Sequence, residues 1–210
     1  MNKIAEITLF DEITEHLLKD EAPSEYIINL SKEAEFKEKP LIMLYKLKTT
    51  EQSKKYHPEG SVWNHTMMVL DEAAKVREQS KEPEPLMWAA LLHDIGKPDT
   101  TRMRKGKITS YDHDSVGADL CRKFLRFYTD DESFIQKVSA LVRYHMHMLY
   151  VLKNLPYGNV KNLLKEVDID DIALLCRCDR FGRVGVDMAE EEKEYREFRR
   201  MLKAYVSKGE

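Results

Sequence analysis

His93 and Asp94 are adjacent, and they close the most apolar run of the chain, Leu86-Met87-Trp88-Ala89-Ala90-Leu91-Leu92. Burying an imidazole and a carboxylate beside such a run is costly unless both are compensated, and one cation compensates both at once. Neighbouring residues on a helix lie about 100° apart, so from a last helical turn both can reach a single ion. His65 stands one turn before Met68 and Val69, on the apolar side of its own segment. Asp179 stands late in the segment that opens Asp171-Ile172-Ala173-Leu174-Leu175. His65, His93, Asp94 and Asp179 thus form a set of two imidazoles and two carboxylates delivered by three helices. That N/O mixture suits Mn, Fe, Co, Ni, Zn or Mg.

Two more histidines extend the pattern. His113 opens one later helix and His145 closes the next, so both can be delivered near Asp94 and hold a second ion, with Asp94 bridging. Two ions about 3.5–4 Å apart clamp a phosphate and activate water for attack on phosphorus. His147 is two residues from His145, about 200° around a helix, so only one of them is expected to face the site. His145 is preferred because it follows Leu141 and Val142 on the inward face. His16, His57 and His147 read as ordinary surface or hydrogen-bonded histidines.

The elements that must position these groups are helical. Only 8 Gly and 7 Pro punctuate 210 residues, and they fall between segments of helical period. Helices are expected over 9–19, 24–36 and 40–47, and then from a Ser61 cap to about residue 79. A central helix is expected over 85–95, stopped by Gly96 and Pro98. Later helices begin at Asp112 or Asp114 (carried by Val116, Leu120, Phe124 and Phe127) and at Asp130 or Asp131, and span 160–167, 169–181 and 187–206. Short strands are plausible only around 101–110, about a Lys105-Gly106 turn. The expected fold is an all-α bundle with one short β-hairpin. Its division is a helical extension over 1–56, a core over 57–185 and a charged helix over 186–210 that packs on the core.

The formal charge is −3, from 34 Lys+Arg against 37 Asp+Glu, and the mixed signs argue neither for nor against a polyanionic partner. No run approaches the ~20 apolar residues of a membrane span, and the N-terminus has no apolar run fit for a signal peptide. Three cysteines do not make a disulfide framework, and Cys176-x-Cys178 lacks the spacing of a structural zinc site. A cytoplasmic location is expected.

The pattern of His65, then His93-Asp94, then Asp179 resembles the HD-domain superfamily of metal-dependent phosphohydrolases. Within it, the chain is most similar to the HD domain of bacterial CCA-adding tRNA nucleotidyltransferases. The matching stretches are His57-Pro58-Glu59-Gly60, Trp63-Asn64-His65-Thr66, Leu91-Leu92-His93-Asp94-Ile95-Gly96-Lys97-Pro98 and Asp179-Arg180-Phe181-Gly182-Arg183. His113-Asp114 resembles that family's glycine-histidine-glutamate turn, with Asp112 in place of the glycine and Asp114 in place of the glutamate. The first 56 residues carry no paired-carboxylate polymerase motif, so CCA addition is not expected.

The resemblance implies an HD-type bundle with phosphodiesterase or phosphomonoesterase activity on nucleotides or RNA ends, 2′,3′-cyclic phosphates included. Asp94 would orient the attacking water. Lys97 would stabilise charge on phosphoryl oxygens, unless it is a solvated lysine at the helix end. Arg102, with Arg104, Lys105 and Lys107, and also Arg183, are candidates to hold a substrate phosphate. Two other readings stay open: a non-catalytic metal- or nucleotide-binding regulatory domain, and a structural bundle in which His93-Asp94 is a satisfied buried pair.

Overall fold

The computed structural model describes residues 3–207; Met1, Asn2 and residues 208–210, at the outer ends of the expected terminal segments, lie outside the described residues. Helices α1 (Lys3–Lys19), α2 (Pro23–Leu30) and α3 (Ile42–Tyr45) come first. They are followed by α4 (Val62–Ala74), α5 (Pro83–Leu92) and α6 (Lys97–Thr100). Strands β1 (Arg102–Arg104) and β2 (Lys107–Thr109) form an antiparallel hairpin. The chain continues through α7 (His113–Leu125), α8 (Glu132–Tyr144), α9 (His147–Leu152), α10 (Val160–Glu166), α11 (Ile169–Phe181) and α12 (Met188–Ser207). The architecture is the expected helical bundle with one small hairpin. Among the described residues, no helix is long and apolar enough to cross a membrane.

α5 is the axis of the core. Leu86 to Leu92 are all buried because the helix is apolar on every side, and α1, α4, α8 and α11 pack around it. Each fully buried Leu contributes roughly 1.5–3 kcal/mol relative to exposure. From α1, the Phe10 ring stacks on Trp88 with centroids 4.8 Å apart, and Thr14 Oγ1 accepts from Trp88 Nε1 at 3.0 Å. α7 packs on α8, and α12 packs on α11 through the buried Phe198 and Leu202.

Several boundaries differ from the sequence expectation. α2 stops at Leu30, because residues 31–35 offer no apolar stripe to bury, and Phe36 reaches the core from a 3-10 turn, Ala34–Lys37. The expected helix over 40–47 is α3 plus a 3-10 turn, Lys46–Thr49. α4 ends at Ala74, and a turn at Arg77–Gln79 follows the buried Val76. The central helix ends at Leu92 rather than 95. Pro98 does not stop it but sits in the first turn of α6, where its missing N–H costs nothing. Phe127, expected on an inward face, is exposed. α9 was not expected.

Gly96 is not a left-handed cap, since its φ is −82°. It is glycine because the start of α7 lies against it: a Cβ there would sit 2.2 Å from His113 O and 2.6 Å from Gly117 N. That close approach brings α7 to the His93-Asp94 corner.

Candidate metal centre

The doublet lies just past α5. His93 is the C-cap residue and keeps helical dihedrals, so its Nδ1–H donates to Ala90 O at 2.8 Å. His113 repeats the arrangement at the head of α7, donating to Ser110 O at 2.7 Å. His145, the C-cap of α8, donates to Val142 O at 2.7 Å. In each case the acceptor is three residues upstream. A carbonyl that holds the Nδ1 proton leaves Nε2 as a bare lone pair, the tautomer a metal takes. His65, on α4, faces the Gly182 carbonyl with Nδ1 at 3.1 Å.

The Nε2 atoms converge. His93 Nε2 lies 3.2 Å from Asp94 Oδ2 and has no hydrogen-bond partner. His65 Nε2 lies 2.9 Å from Asp179 Oδ1 and 4.0 Å from Asp94 Oδ2. His113 Nε2 and His145 Nε2 face each other at 3.2 Å, and they lie 3.5 and 3.8 Å from Asp94 Oδ1. Two groups flank Asp94, His65–His93–Asp179 and Asp94–His113–His145, and a third, His57–Glu59–His65, lies behind the first, each with ligand atoms within 4.8 Å of one another. Asp94 touches the first two groups, Oδ2 toward the first and Oδ1 toward the second.

The fit to a cation rests on these atoms. His113 and His145 turn lone pairs toward each other and toward Asp94 Oδ1, and His93 Nε2 faces Asp94 Oδ2. Such contacts repel unless a positive centre is shared. The protonation states of the Asp94–His113–His145 group agree. Burial keeps His145 neutral down to about pH 4, helped by His113 and His93, and burial lowers His113. Burial opposes the charge on Asp94, yet Lys97 and His93 hold its carboxyl well below the usual range. Arg183 and His65 do the same for the equally buried Asp179. His65 is the exception: burial pushes it down, but the Asp179 and Glu59 carboxylates outweigh that and raise it. Neutral imidazoles beside ionised carboxylates are what metal binding requires.

The six expected metal-ligand residues are therefore brought together. Lys97 is buried, with Nζ 2.7 Å from Asp94 Oδ2 and 2.9 Å from Gln52 Oε1, so it is not a solvated helix cap. Arg183 reaches Asp179 Oδ1 at 2.9 Å and Oδ2 at 3.1 Å from the partly open edge of the cluster. Arg102 is not among them; its guanidinium donates to the carbonyls of Thr101 and Asp99 on the exposed hairpin. Asp112, at the place of the family glycine, has φ +61°, a conformation Asp tolerates better than most residues. Asp114, at the place of the glutamate, turns to Arg143 at 2.9 Å rather than to the cluster.

Sequence reasoning missed three participants. Glu59 Oε1 lies 2.8 Å from His57 Nδ1 and 3.1 Å from His65 Nδ1. Burial would raise the Glu59 carboxyl, but hydrogen bonds from His65, the backbone and His57 hold it at about 2. His57, read as an ordinary histidine, therefore lines this cluster. Gln52 binds Lys97 and donates to Ser61 O at 3.2 Å. The stretch His57-Pro58-Glu59-Gly60 was a signal for two of these residues, but nothing in it showed that Glu59 is buried.

Comparison with known proteins agrees with this geometry. The HD domain family matches residues 62–182, more than half of the chain. The Multifunctional CCA protein of Actinobacillus pleuropneumoniae serotype 5b (strain L20) is 29% identical over 154 residues, covering 69% of this chain and 35% of the relative. That of Verminephrobacter eiseniae (strain EF01-2) is 31% identical over 144 residues, covering 64% and 32%. That of Hahella chejuensis (strain KCTC 2396) is 28% identical over 141 residues, covering 64% and 32%. The aligned segment is about a third of the length of these relatives.

Proposed function

The chain belongs to the HD-domain family, whose members bind divalent metals, and we propose on that premise that it is a metal-dependent phosphohydrolase. Its substrates are phosphate esters of nucleotides or RNA ends, either 2′,3′-cyclic diesters or monoesters. The observation that carries the reading is the inward convergence of His Nε2 lone pairs on two ionised aspartates, with buried Lys97 and half-buried Arg183 beside them. His65, His93 and Asp179 would hold one divalent ion (Mn, Ni, Co, Fe, Zn or Mg); His113 and His145 would hold a second, with Asp94 shared. When bound, such ions supply Lewis-acid polarisation of phosphoryl oxygens and acidify water.

The chain's own groups complete the work. Asp94 orients the attacking water. Lys97 and Arg183 are fixed donors for phosphoryl oxygens as charge builds on them. The carbonyls of Ala90, Ser110 and Val142 keep three imidazoles from turning away. All three cysteines are buried free thiols, which suits a reducing, cytoplasmic setting.

The test is elemental analysis of wild type and Asp94→Ala, followed by hydrolysis of 2′,3′-cyclic nucleotides and nucleoside monophosphates. One or two ions per chain are expected in wild type, with fewer in the variant. Turnover should fall by at least about a hundredfold. Stoichiometric metal with neither ring opening of the cyclic nucleotides to monophosphates nor phosphate release from the monoesters would replace the hydrolase by a binding domain. No metal under any loading condition would sink both readings.

A further inference from the structure

The β1–β2 hairpin carries positive charge that no carboxylate among the described residues neutralises. Residues 100–111 contain Arg102, Arg104, Lys105 and Lys107 and no acid, in a chain whose net charge is −3. Among the described residues, none of the four is in an ion pair with a carboxylate. The register sets Arg104 directly opposite Lys107, and Arg102 opposite Thr109. Alternate residues of a strand share a face, and directly opposed residues share it too. Arg102, Arg104 and Lys107 therefore project from the same side of the ribbon.

Two features of this hairpin work against its own stability. Like charges directly across a strand pair repel. Lys105 also occupies the first central position of a turn whose two central residues have φ +49° and +71°, where Asn, Asp or Gly is favoured. Both costs place positive charge on the ribbon. Beside it, Tyr111 is 62% exposed, with the Arg104 guanidinium 5.1 Å from its ring centroid.

The base of the ribbon is fastened to the metal centre. Thr101 Oγ1 and Ser110 Oγ are 2.7 Å apart, and Ser110 O holds His113 Nδ1 at 2.7 Å. Tyr111 is two residues from His113, within about 7 Å of chain.

We infer that the hairpin and Tyr111 form a docking surface for a single-stranded polynucleotide whose end enters the His/Asp cluster. Backbone phosphates lie along the Arg104–Lys107 face, and a base stacks on the free face of Tyr111. Charge complementarity selects a polyanion, and the cation-plus-aromatic pairing selects one that presents flat bases. The inference rests on the proposed function for what happens at the end of the strand, but the docking itself does not require turnover.

The experiment measures binding alone. Labelled ten-nucleotide single-stranded RNA and DNA are titrated by fluorescence anisotropy against the full chain across a salt series. Wild type, Arg104→Ala/Lys107→Ala and Tyr111→Ala are compared, with thermal unfolding as the folding control. The double variant should bind about tenfold more weakly at moderate salt. Losing two phosphate contacts should also flatten the log–log salt slope by about 1.4. Tyr111→Ala should lose at least about fivefold. Equal loss with RNA and DNA assigns recognition to backbone and stacking, whereas loss with RNA alone assigns it to the ribose hydroxyl. No oligonucleotide binding by wild type, or equal binding and slope in the folded double variant, would overturn the inference. So would a preference for anionic vesicles over oligonucleotides. Hairpin-dependent binding without any hydrolysis would leave this surface standing and remove only the hydrolase reading.

Discussion

Replacing Gly96 by alanine tests how the second half of the metal centre is assembled. The added Cβ would stand 2.2 Å from His113 O, 2.6 Å from Gly117 N and 3.0 Å from Gly117 Cα. Ordinary contact begins near 3.4 Å, so the α7 backbone must retreat by about 1 Å. All three atoms are backbone, so no flexible side chain can absorb the clash. Overpacking of this kind costs about 1–3 kcal/mol, or roughly 2–12 °C of Tm for a chain this size. The functional effect should be larger. Metal–ligand distances tolerate only about 0.2 Å, so a shift of about 1 Å removes His113 from the Asp94–His113–His145 group. His65, His93 and Asp179 come from α4, the end of α5 and α11, and are untouched. Calorimetric titration with Mn or Co should therefore show one class of sites surviving in Gly96→Ala and the other weakened at least about tenfold. Gly106→Ala is the control: nothing lies within 4 Å of its Cβ, and only its φ of +71° is strained. It should lose about 1 kcal/mol and no metal. Wild-type Tm and wild-type metal binding in Gly96→Ala would refute the account of how α7 delivers His113.

Two further outcomes are expected. Glu59→Gln keeps the shape of the side chain but removes the charge beside His65 Nδ1, and it should weaken metal binding about 10–100-fold with little change in Tm; unchanged affinity in calorimetry would remove Glu59 from the centre. Asp168→Ala deletes the cap that accepts from the N–H groups of Asp170 and Asp171 at the head of α11, and should cost about 1 kcal/mol near neutral pH. Burial would raise the Asp168 carboxyl, but Lys81 and those N–H groups lower it on balance. Its contribution is therefore present above the ordinary carboxylate pKa and lost as pH falls through the lowered value. The gap between variant and wild type in denaturant titrations should close in acid; a gap that widened there would contradict the assignment.

Much of the bundle was legible because helices here carry their own signals. Ser61, Asp131 and Asp168 cap α4, α8 and α11 as their residue types predict, and α11 has the expected limits. Errors fell where local pattern is weak. Residues 31–35 have no stripe, and Gly96 and Pro98 have the composition of a helix stop yet serve a close packing and a new first turn. The site was legible as a set of residue types, because a buried His-Asp doublet on an apolar helix calls for a cation. Sequence order alone did not separate Arg183, which reaches Asp179, from Arg102, which lies on an exposed ribbon.

The sequence by itself determined the helical class, the hairpin and a candidate ligand set of histidines and aspartates, because periodicity, capping and side-chain chemistry are properties of short stretches. Only the tertiary structure decided that His65 and Asp179, 114 residues apart, meet at 2.9 Å. It also decided that Glu59 and Gln52 stand behind the ligands, and that four imidazoles aim their Nε2 atoms into one space. Those relations depend on the crossing of α4, α5, α7, α8 and α11 and on which backbone carbonyl each Nδ1 meets, and no local pattern encodes either.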